Sequence, residues 1–477
     1  MKPPKSRKAE LAANATGGEK SHAEAKCARA EGVGLPECEA RAAKRSQEVA
    51  RGRGIEFKQT ELGPIPVDWE VKRLGDVVET SSGGTPSRAR PDFFQGTIKW
   101  FTTTELLDNN LYDSLEHISH EALKNSSAKI FPPKTLLMAM YGATIGRLGI
   151  LQNCASTNQA CCAIFCGDTL FSGYAYYYLY HLRPNIIERG CGAGQPNISQ
   201  EIVRSLPVVL PPLAEQRRIA GALSDVDELI SALGKLIEKK RNIKTGAMQE
   251  LLGMRNGECG MRNVPRRRLP GFSGEWVEKR LGDCGFCFNG ITGKAGNDFG
   301  HGEAHYITFL NVLANVVIDT DMLDAVDIKS GENQNEVRCG DLFFNTSSET
   351  PEEVGFCAVL DEEVTSVYLN SFCFGFRLTD NNVSGKFLAY WFRATGGRTL
   401  MTFLAQGSTR YNLSKDAFRE ACISIPPTLA EQQAIAAVLS DMDAEIAALE
   451  ADRAKYESIK QGMMQELLTG KTRLKGE

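Results

Sequence analysis

The chain has 477 residues, of which 42% are hydrophobic and 24% charged, and its formal net charge is -4. This length predicts two to four domains with ample core, and the composition is that of a globular protein without the overall basicity that signals nucleic-acid binding. The longest apolar run, 135–151, is interrupted by Arg147 and three glycines, so we expect no membrane span. The N-terminus shows no apolar signal core, so we expect a cytoplasmic protein.

Residues 1–54 form the first distinct segment. They contain few large apolar side chains, and their 12 basic and 7 acidic residues give a net charge of +5. Such a segment cannot bury enough surface to fold alone, so we predict a disordered polar arm and assign it no function.

Residues 55–212 are predicted to form the first globular domain. Apolar runs rich in β-branched residues alternate with Gly, Pro and Asn turns, which predicts strands over 97–101, 135–140, 149–151 and 160–165. A helix is predicted over 172–182, where five tyrosines crowd together. Their rings could stack on bases, but a helix that places them half in the core is the favoured interpretation.

A long helix is predicted from Leu213 to Leu252, within a central helical region 213–258. Apolar residues alternate four and three apart, which is the spacing of a coiled-coil seam. Forty helical residues rise about 60 Å. The predicted seam residues of this helix are Leu223, Val226, Ile230 and Leu233.

Residues 259–428, which begin with a short linker 259–268, are predicted to form a second globular domain on the same plan. Trp276-Val-Glu-Lys-Arg-Leu-Gly-Asp283 matches Trp69-Glu-Val-Lys-Arg-Leu-Gly-Asp76 at its start. Strands are predicted over 306–310, 341–344 and 372–378, and a helix over 385–394. Between matched ends the two domains diverge almost completely, which suits one task performed on two targets.

The last segment, 429–477, repeats the first long helix. A shift of 216 residues lays 213–252 on 429–468 without a gap, and 22 of the 40 aligned positions are identical. A repeat of this length is not chance. Thr428 and Glu431 predict a capping box at its start. The seam residues predicted here are Leu439, Met442, Ile446 and Leu449. Two rods of one sequence type most simply pack on each other, although separate burial in two domains is the alternative.

The motifs of common enzyme classes do not occur in this sequence. It has no phosphate-binding loop, no Gly-x-Ser-x-Gly elbow, no His-Glu-x-x-His and no Asn-Pro-Pro-aromatic motif. The 14 cysteines are scattered through apolar stretches, so we expect reduced core residues, and the lone Cys284-x-x-Cys287 pair does not predict a zinc site. Together these observations favour a binding protein.

The ordered set of motifs resembles the specificity (S) subunit of type I restriction-modification systems over residues 55–475. The motifs that carry the resemblance are Gly83-Gly-Thr-Pro86, Gly96-Thr-Ile-Lys-Trp100, Gly142-Ala-Thr-Ile-Gly146, Thr157-Asn-Gln159, Pro211-Pro-Leu-Ala-Glu-Gln216, Pro426-Pro-Thr-Leu-Ala-Glu-Gln432 and the two Gln-Glu-Leu-Leu ends.

This resemblance implies a mixed α/β protein with two target recognition domains, separated by two long helices that form an antiparallel coiled coil. Each domain would read one half of a bipartite, asymmetric double-stranded DNA target. The chain itself would be non-catalytic and would direct two adenine methyltransferase subunits and two restriction/translocase subunits. S-adenosylmethionine, ATP and Mg would then be bound by those partners only, with no metal or cofactor on this chain.

Candidate DNA-contacting residues are polar or aromatic side chains expected on exposed loops. In the first domain they are Thr85, Lys99, Trp100, Thr103, Arg147, Asn158, Gln195 and Asn197. In the second they are Lys294, Asn345, Ser347, Ser348, Arg410, Tyr411 and Asn412. Asn197 and Asn412 could instead build turns, Arg147 could be paired structurally, and Trp100 and Tyr411 could be core residues.

Four residues matched at the two helix starts are expected to face the methyltransferase: Glu215, Gln216, Glu431 and Gln432. Capping of their own helices is the alternative. At the level of the whole chain, the competing hypotheses are a coiled-coil scaffold that does not bind DNA and a solitary specificity homologue without active partners.

Overall fold

The computed structural model describes residues 56–190, 197–253 and 265–474, which form two compact units. The first unit comprises the chain up to Ser224 together with 461–477, and the second comprises 225–460. The predicted arm 1–54 and residues 259–264 of the predicted linker lie outside the described residues. Each long helix therefore contributes residues to both units, whereas our predicted domain boundaries placed each helix in a segment of its own.

The first unit contains short strands and helices that precede the first long helix. In chain order these are β1 (Phe57–Thr60), β2 (Gly63–Pro66), β3 (Glu70–Arg73), α1 (Leu74–Val77), β4 (Val78–Ser82), β5 (Ile98–Phe101), β6 (Asn109–Leu111), β7 (Glu116–Ile118), α2 (His120–Lys124), β8 (Leu136–Ala139), β9 (Leu148–Leu151), β10 (Ser156–Thr157), β11 (Cys161–Cys166), α3 (Ser172–His181), α4 (Arg183–Glu188), α5 (Gln200–Ser205) and β12 (Pro207–Leu210). Three 3-10 turns cover Pro91–Phe94, Thr103–Glu105 and Gly142–Thr144. The first long helix, α6, spans Leu213–Leu252.

The second unit is built from a comparable set of elements. These are β13 (Val277–Arg280), α7 (Leu281–Cys284), β14 (Gly285–Asn289), β15 (Phe299–Ile307), α8 (Phe309–Ala314), β16 (Leu323–Val326), β17 (Leu342–Asn345), β18 (Ser347–Ser348), β19 (Cys357–Val359), β20 (Val367–Leu369), β21 (Cys373–Leu378), α9 (Gly385–Arg393), α10 (Thr395–Leu404), β22 (Ala405–Gln406), β23 (Tyr411–Leu413), α11 (Lys415–Glu420) and β24 (Cys422–Ile425). Two 3-10 turns cover Gly296–Asp298 and Thr320–Met322, and the second long helix, α12, spans Leu429–Leu467.

The globular parts of the two units share one strand topology. The antiparallel order β4-β11-β8-β9 in the first corresponds to β14-β21-β17-β19 in the second. Strand β5 pairs antiparallel with β7 and parallel with β10, and β15 pairs in the same two ways with β16 and β20. The pair β3–β12 corresponds to β13–β24. One frame therefore carries two divergent sequences, as the matched ends of the two domains predicted.

The core of each unit includes the end of one long helix and the start of the other. In the first unit Leu467 and Leu468 of the C-terminal segment are buried in one cluster with Trp69 and Ile219. In the second unit the cluster contains Leu251, Leu252, Trp276 and Ile435. Burying a large apolar side chain contributes about 1.5–3 kcal/mol, so each helix end contributes substantially to its unit.

The two long helices run antiparallel where they pair within the second unit. The ion pairs there join Lys240 to Glu445 at 2.5 Å and Lys460 to Asp227 at 2.6 Å. Residue numbers rise along one helix as they fall along the other, which defines the antiparallel orientation. The predicted coiled-coil pairing is thus observed.

One predicted strand is misplaced at both ends, because the observed β15 begins at Phe299 and not at residue 306. The strand predicted over 306–310 ends at Ile307, because the hydroxyl of Thr308 accepts a hydrogen bond from the amide of Asn311 and caps α8. The predicted capping box at α12 is half formed. The hydroxyl of Thr428 accepts from the amide of Glu431 at 3.3 Å, but the Glu431 carboxylate binds Arg268 instead.

Four of the five tyrosines of α3 are buried, whereas five of the ten described cysteines are buried and three are exposed. Tyr174, Tyr176, Tyr177 and Tyr178 are buried, so the core interpretation is confirmed for these four. Ten described cysteines are free thiols, and burial raises the pKa of the thiol of Cys162 to about 12.

Candidate nucleic-acid interface

The loops of the two globular modules are held by equivalent hydrogen bonds. The amide of Asn158 donates to the Phe101 carbonyl at 3.0 Å, and the amide of Asn370 donates to the Ile307 carbonyl at 3.1 Å. The side-chain oxygen of each asparagine then accepts from the amide two residues later. This pattern fixes a register between the modules, in which Asn158 corresponds to Asn370.

In the second module the structure brings five predicted DNA-contacting residues together. Strands β18 and β23 pair Ser347 with Asn412 and Ser348 with Tyr411. The guanidinium of Arg410 donates from Nε to the Ser347 hydroxyl at 3.2 Å. Arg410 and Asn412 are exposed, and the other three are partly exposed. The cluster combines a cation, three hydroxyls and an amide, which are the groups that bind base edges and phosphates.

In the first module the predicted residues fall into two neighbouring groups. Thr85 is exposed, and its hydroxyl donates to the side-chain oxygen of Gln159 at 2.5 Å, next to Asn158. Thr103 begins a 3-10 turn just beyond β5. Their positions on adjacent loops suit contact with one ligand.

The second group lies around the turn at 141–147. Asn197 is exposed and pairs through its backbone with Tyr141, and Arg147 is exposed at the end of this turn. Gln195 lies outside the described residues.

Three predicted DNA-contacting residues are structural instead. Trp100 is 1% exposed, and its indole nitrogen donates to the Gly84 carbonyl at 3.0 Å. Asn345 is fully buried, and its side-chain oxygen accepts from the amide of Phe356 at 2.6 Å. The Lys294 side chain is 5% exposed and pairs with Glu332 at 2.7 Å. The prediction that these three side chains contact bases or phosphates is therefore wrong.

The charges at Lys294 and Lys99 are both engaged within the module. The hydrogen bond from Lys294 holds the pKa of Glu332 below its ordinary value. The ammonium of Lys99 donates to the Tyr112 carbonyl and lies 3.6 Å from Asp113, and its side chain is 26% exposed. Lys99 is thus directed toward the loop that precedes β7.

The four residues at the helix starts do not face a partner. Glu215, Gln216, Glu431 and Gln432 are each 1% exposed. The Glu215 carboxylate binds Arg473 at 2.6 Å, and the Glu431 carboxylate accepts from Nε of Arg268 at 2.7 Å. The prediction that these residues contact the methyltransferase is therefore wrong, because both carboxylates form buried ion pairs within their own units.

The two glutamines make the same internal connections in both units. The amide nitrogen of Gln216 donates to the carbonyls of Thr169 and Pro211, and its oxygen accepts from the amide of Phe171 at 2.8 Å. Gln432 repeats this pattern, with its nitrogen donating to the carbonyls of Asn382 and Pro426 and its oxygen accepting from the amide of Ser384. Each glutamine fastens the start of a long helix to a loop of its module.

None of the predicted seam residues is exposed. Leu223 lies in the core of the first unit, and Leu439 and Met442 pack in or against the core of the second, so these three contact globular modules. Ile446 is 8% exposed on the inner face of α12. The remaining four, Val226, Ile230, Leu233 and Leu449, are half-buried.

Sequence reasoning missed four residues at the loop ends. Gln159 is exposed beside Thr85. Lys415 is the equivalent of Gln200 in the first module. The Lys415 side chain binds Asn289 at the end of β14, and the Gln200 side chain binds Ser82 at the end of β4. Leu310, in the first turn of α8, and Phe372, on the loop before β21, are exposed apolar residues of the second module. Only a register between the modules could have found them, because their own sequence context carries no DNA-binding signal.

A cleft of about 770 Å³ opens among these loops in the second module. Its lining includes Lys294, Lys415, Thr346 and Asn370, and Asp324 is the carboxylate among its lining residues. The lining thus offers hydrogen-bond donors, acceptors and the ammonium of Lys415, since the charge of Lys294 is paired with Glu332. No helix within the described ranges is long and apolar enough to cross a membrane.

Comparison with known proteins identifies the family. A family described as "Type I restriction modification DNA specificity domain" matches residues 66–242 and 273–461. The MjaIX specificity subunit of a type I restriction enzyme from Methanocaldococcus jannaschii is 30% identical over 237 residues, which are 48% of this chain and 54% of that protein. The match thus spans about half of that relative. The putative MjaX specificity subunit of the same organism is 24% identical over 88% of this chain and 97% of its own length.

Solved structures show the same fold. The crystal structure of a type I restriction-modification S subunit from M. genitalium aligns with a TM-score of 0.53 at 13% identity, over 87% of this chain and 98% of the other. The family match covers the globular modules of both units and most of both long helices. The chain therefore belongs to the family of type I restriction-modification DNA specificity proteins.

Proposed function

We propose that this chain is the DNA-reading subunit of a type I restriction-modification complex and that each module reads one half of a bipartite, asymmetric target. The observation that carries the proposal is the shared topology of the modules combined with different side chains on equivalent loops. Modules with the same strand topology would present equivalent loops to DNA in the same orientation. Different side chains on those loops would then select different base edges.

We infer that the complex contains two adenine methyltransferase subunits and two restriction/translocase subunits. The two units repeat one construction, including the buried pairs Arg473–Glu215 and Arg268–Glu431, so two identical partners could bind them equivalently. S-adenosylmethionine, ATP and Mg would be bound by these partners, and this chain would act without its own catalytic residues, in the cytoplasm.

A stripe of apolar residues on α6 is our candidate surface for partner binding, in place of the buried helix starts. Leu229, Leu236 and Ile243 follow one another at intervals of seven and are 38%, 38% and 47% exposed. Residues seven apart lie on one helix face, and exposed apolar stripes suit contact with another helix. Replacing the three with serine should abolish co-purification of the methyltransferase, whereas Lys455→Ser on α12 should not.

We infer that the unread gap between the half-sites depends on the lengths of α6 and α12. These helices contain 40 and 39 residues. A helix of this length rises about 60 Å, which exceeds one turn of DNA at about 34–36 Å.

The proposal is tested by mapping methyladenine in DNA from cells that co-produce the full chain and the adenine methyltransferase of its system. We expect a motif in two halves with a fixed gap. Thr85→Ala should relax one half and Ser347→Ala the other, while Lys455→Ala leaves both unchanged. A contiguous motif would contradict two-module reading. Co-purification without methylation or DNA binding would favour a scaffold, and failure to bind a methyltransferase would favour a solitary homologue.

A further inference from the structure

Two large apolar side chains project from the second module, Leu310 from the first turn of α8 and Phe372 from the loop before β21. Leu310 is 67% exposed and Phe372 is 61% exposed, and both line the cleft of about 770 Å³. The Phe372 ring packs edge-on against Phe309, with ring centroids 6.5 Å apart. The exposed ring is therefore held in place by a neighbour.

The register between the modules shows what stands at these positions in the first module. Leu310 is the second residue of α8, after the capping Thr308, and Thr104 is the second residue of the turn capped by Thr102. Phe372 follows Asn370 by two residues, as Ala160 follows Asn158. The second module thus carries leucine and phenylalanine where the first carries threonine and alanine.

Further hydrogen bonds place Phe372 beside the predicted reading residues. The Phe372 carbonyl accepts from the backbone amide of Thr346 at 3.0 Å and from its hydroxyl at 2.7 Å, and Thr346 directly precedes Ser347. In the first module the Ala160 carbonyl accepts the equivalent bond from the amide of Met140. The apolar pair is therefore continuous with the polar surface assigned to DNA.

The cleft around the pair also offers one cation to a polyanion. Lys415 lines it and donates to the uncharged side chain of Asn289, whereas the charge of Lys294 is paired with Glu332 and Asp324 accepts a hydrogen bond from Tyr306. In the major groove the base edges are polar, with one exception. Thymine presents a C5-methyl group, which apolar side chains contact.

We propose that Leu310 and Phe372 bind the methyl group of a thymine in the half-site read by the second module. The inference rests on the proposed function and adds a named base contact to it. The first module, with Thr104 and Ala160 at these positions, reads its half-site without this contact.

The first test changes the pair toward the residues of the first module. Leu310→Thr and Phe372→Ala are prepared in the full chain and co-produced with the methyltransferase, and the methylated motif is mapped. The control is Phe403→Ala, because Phe403 is 84% exposed in the same module but does not line the cleft. We expect a required thymine to become degenerate in both variants, with the other half-site unchanged. A second half-site without thymine, or one unchanged in both variants, would overturn the inference.

The second test removes only the methyl group. Uracil replaces the thymine in a duplex containing the wild-type target, and binding by the complex is measured. Loss of one buried methyl contact should weaken binding about fourfold. The same replacement should have no effect on the complex that carries both Leu310→Thr and Phe372→Ala. Equal binding of thymine and uracil by the wild type would show that the pair acts otherwise, for example as a wedge between base steps, and would overturn the assignment. Absence of any two-part motif in the wild type would instead contradict the proposed function.

Discussion

The guanidinium of Arg473 is hydrogen bonded to the carboxylate of Glu215, which lies 258 residues earlier in the chain. Burial alone would lower the pKa of Arg473, but the hydrogen bonds to Glu215 and Asp68 outweigh it and raise the pKa. Glu215 starts α6, and Arg473 follows the end of α12. In the second unit Arg268, which follows α6, binds Glu431 at the start of α12. In each unit, an arginine that follows the end of one long helix thus pairs with a glutamate in the first turn of the other long helix.

Removing Arg473 should destabilise the first unit. In Arg473→Ala the Glu215 carboxylate stays buried without its cationic partner, which costs about 3–5 kcal/mol. Hydrogen exchange measured by mass spectrometry should show loss of protection in the first unit, together with a lower urea midpoint. Arg453→Ala is the matched control, because its pair with Glu457 is about half exposed and contributes under about 1 kcal/mol. Equal protection in Arg473→Ala and wild type would contradict the role of the pair.

The two glutamines at the helix starts should act locally. Gln216→Leu removes the side-chain partner of the Pro211 carbonyl, in a buried hydrogen bond, and of the partly buried Thr169 carbonyl and Phe171 amide. An unsatisfied buried group costs about 1–3 kcal/mol. We expect faster amide exchange at 169–171 in this variant and at 382–384 in Gln432→Leu, with no transfer of effect between them. Gln433→Leu, at an exposed position of α12, serves as the control. If one substitution speeds amide exchange in both units, the conclusion that each glutamine holds only the loop of its own module is contradicted.

Arg147 and Lys294 should differ in the salt dependence of DNA binding. Arg147 is exposed, so Arg147→Ala should weaken binding to all sequences and reduce the slope of log K against log salt by about one. Lys294→Met should leave that slope unchanged, since the lysine is buried against Glu332. Binding titrations between low and physiological salt measure both. A reduced slope in Lys294→Met would restore this residue as a phosphate contact.

Tyr390 should make the stability of the second unit sensitive to alkaline pH. Burial and the hydrogen bond from its hydroxyl to Asp443, at 2.8 Å, raise the pKa of Tyr390 above its ordinary value of about 10. A folded pKa above the unfolded one gives stability that is complete below pH about 10 and is lost as the pH rises further. The free energy of unfolding of wild type should fall above pH 10.

The variant Tyr390→Phe isolates this effect. It should be less stable by about 1 kcal/mol at pH 9 and should lose less stability between pH 9 and 11. Tyr112→Phe, at a position 63% exposed, should show the same dependence of the unfolding free energy on pH as wild type. Identical alkaline profiles for wild type and Tyr390→Phe would contradict the assignment.

Local sequence signals predicted the elements well where the cause was local. The starts of both long helices follow Pro-Pro pairs, and the observed starts are Leu213 and Leu429, as predicted. The end of β15 was missed because Thr308 caps α8 without a glutamate or glutamine three residues later. Apolar spacing alone could not distinguish a strand that continues from one that ends at such a cap.

Site residues were predicted less well, because their roles depend on distant partners. Trp100 and Gly84 are joined only by the folded sheet, and the pairing of Lys294 with Glu332 bridges 38 residues. The match of Glu215 to Glu431 indicated importance at both helix starts but could not show direction. A repeated glutamate is equally expected if its side chain forms an ion pair inside its own unit and if it contacts a partner subunit.

The asparagines Asn158 and Asn370 hold their loops through backbone amides and carbonyls, whatever side chains the neighbouring residues carry. The residues that we propose to select bases can therefore change without loss of these hydrogen bonds, and new specificities could arise by drift at a few exposed positions. The repeated helices flank the second module with sequences that are identical at 22 of 40 aligned positions. They offer crossover points at which recombination could exchange one whole module for another and create a new target in a single event.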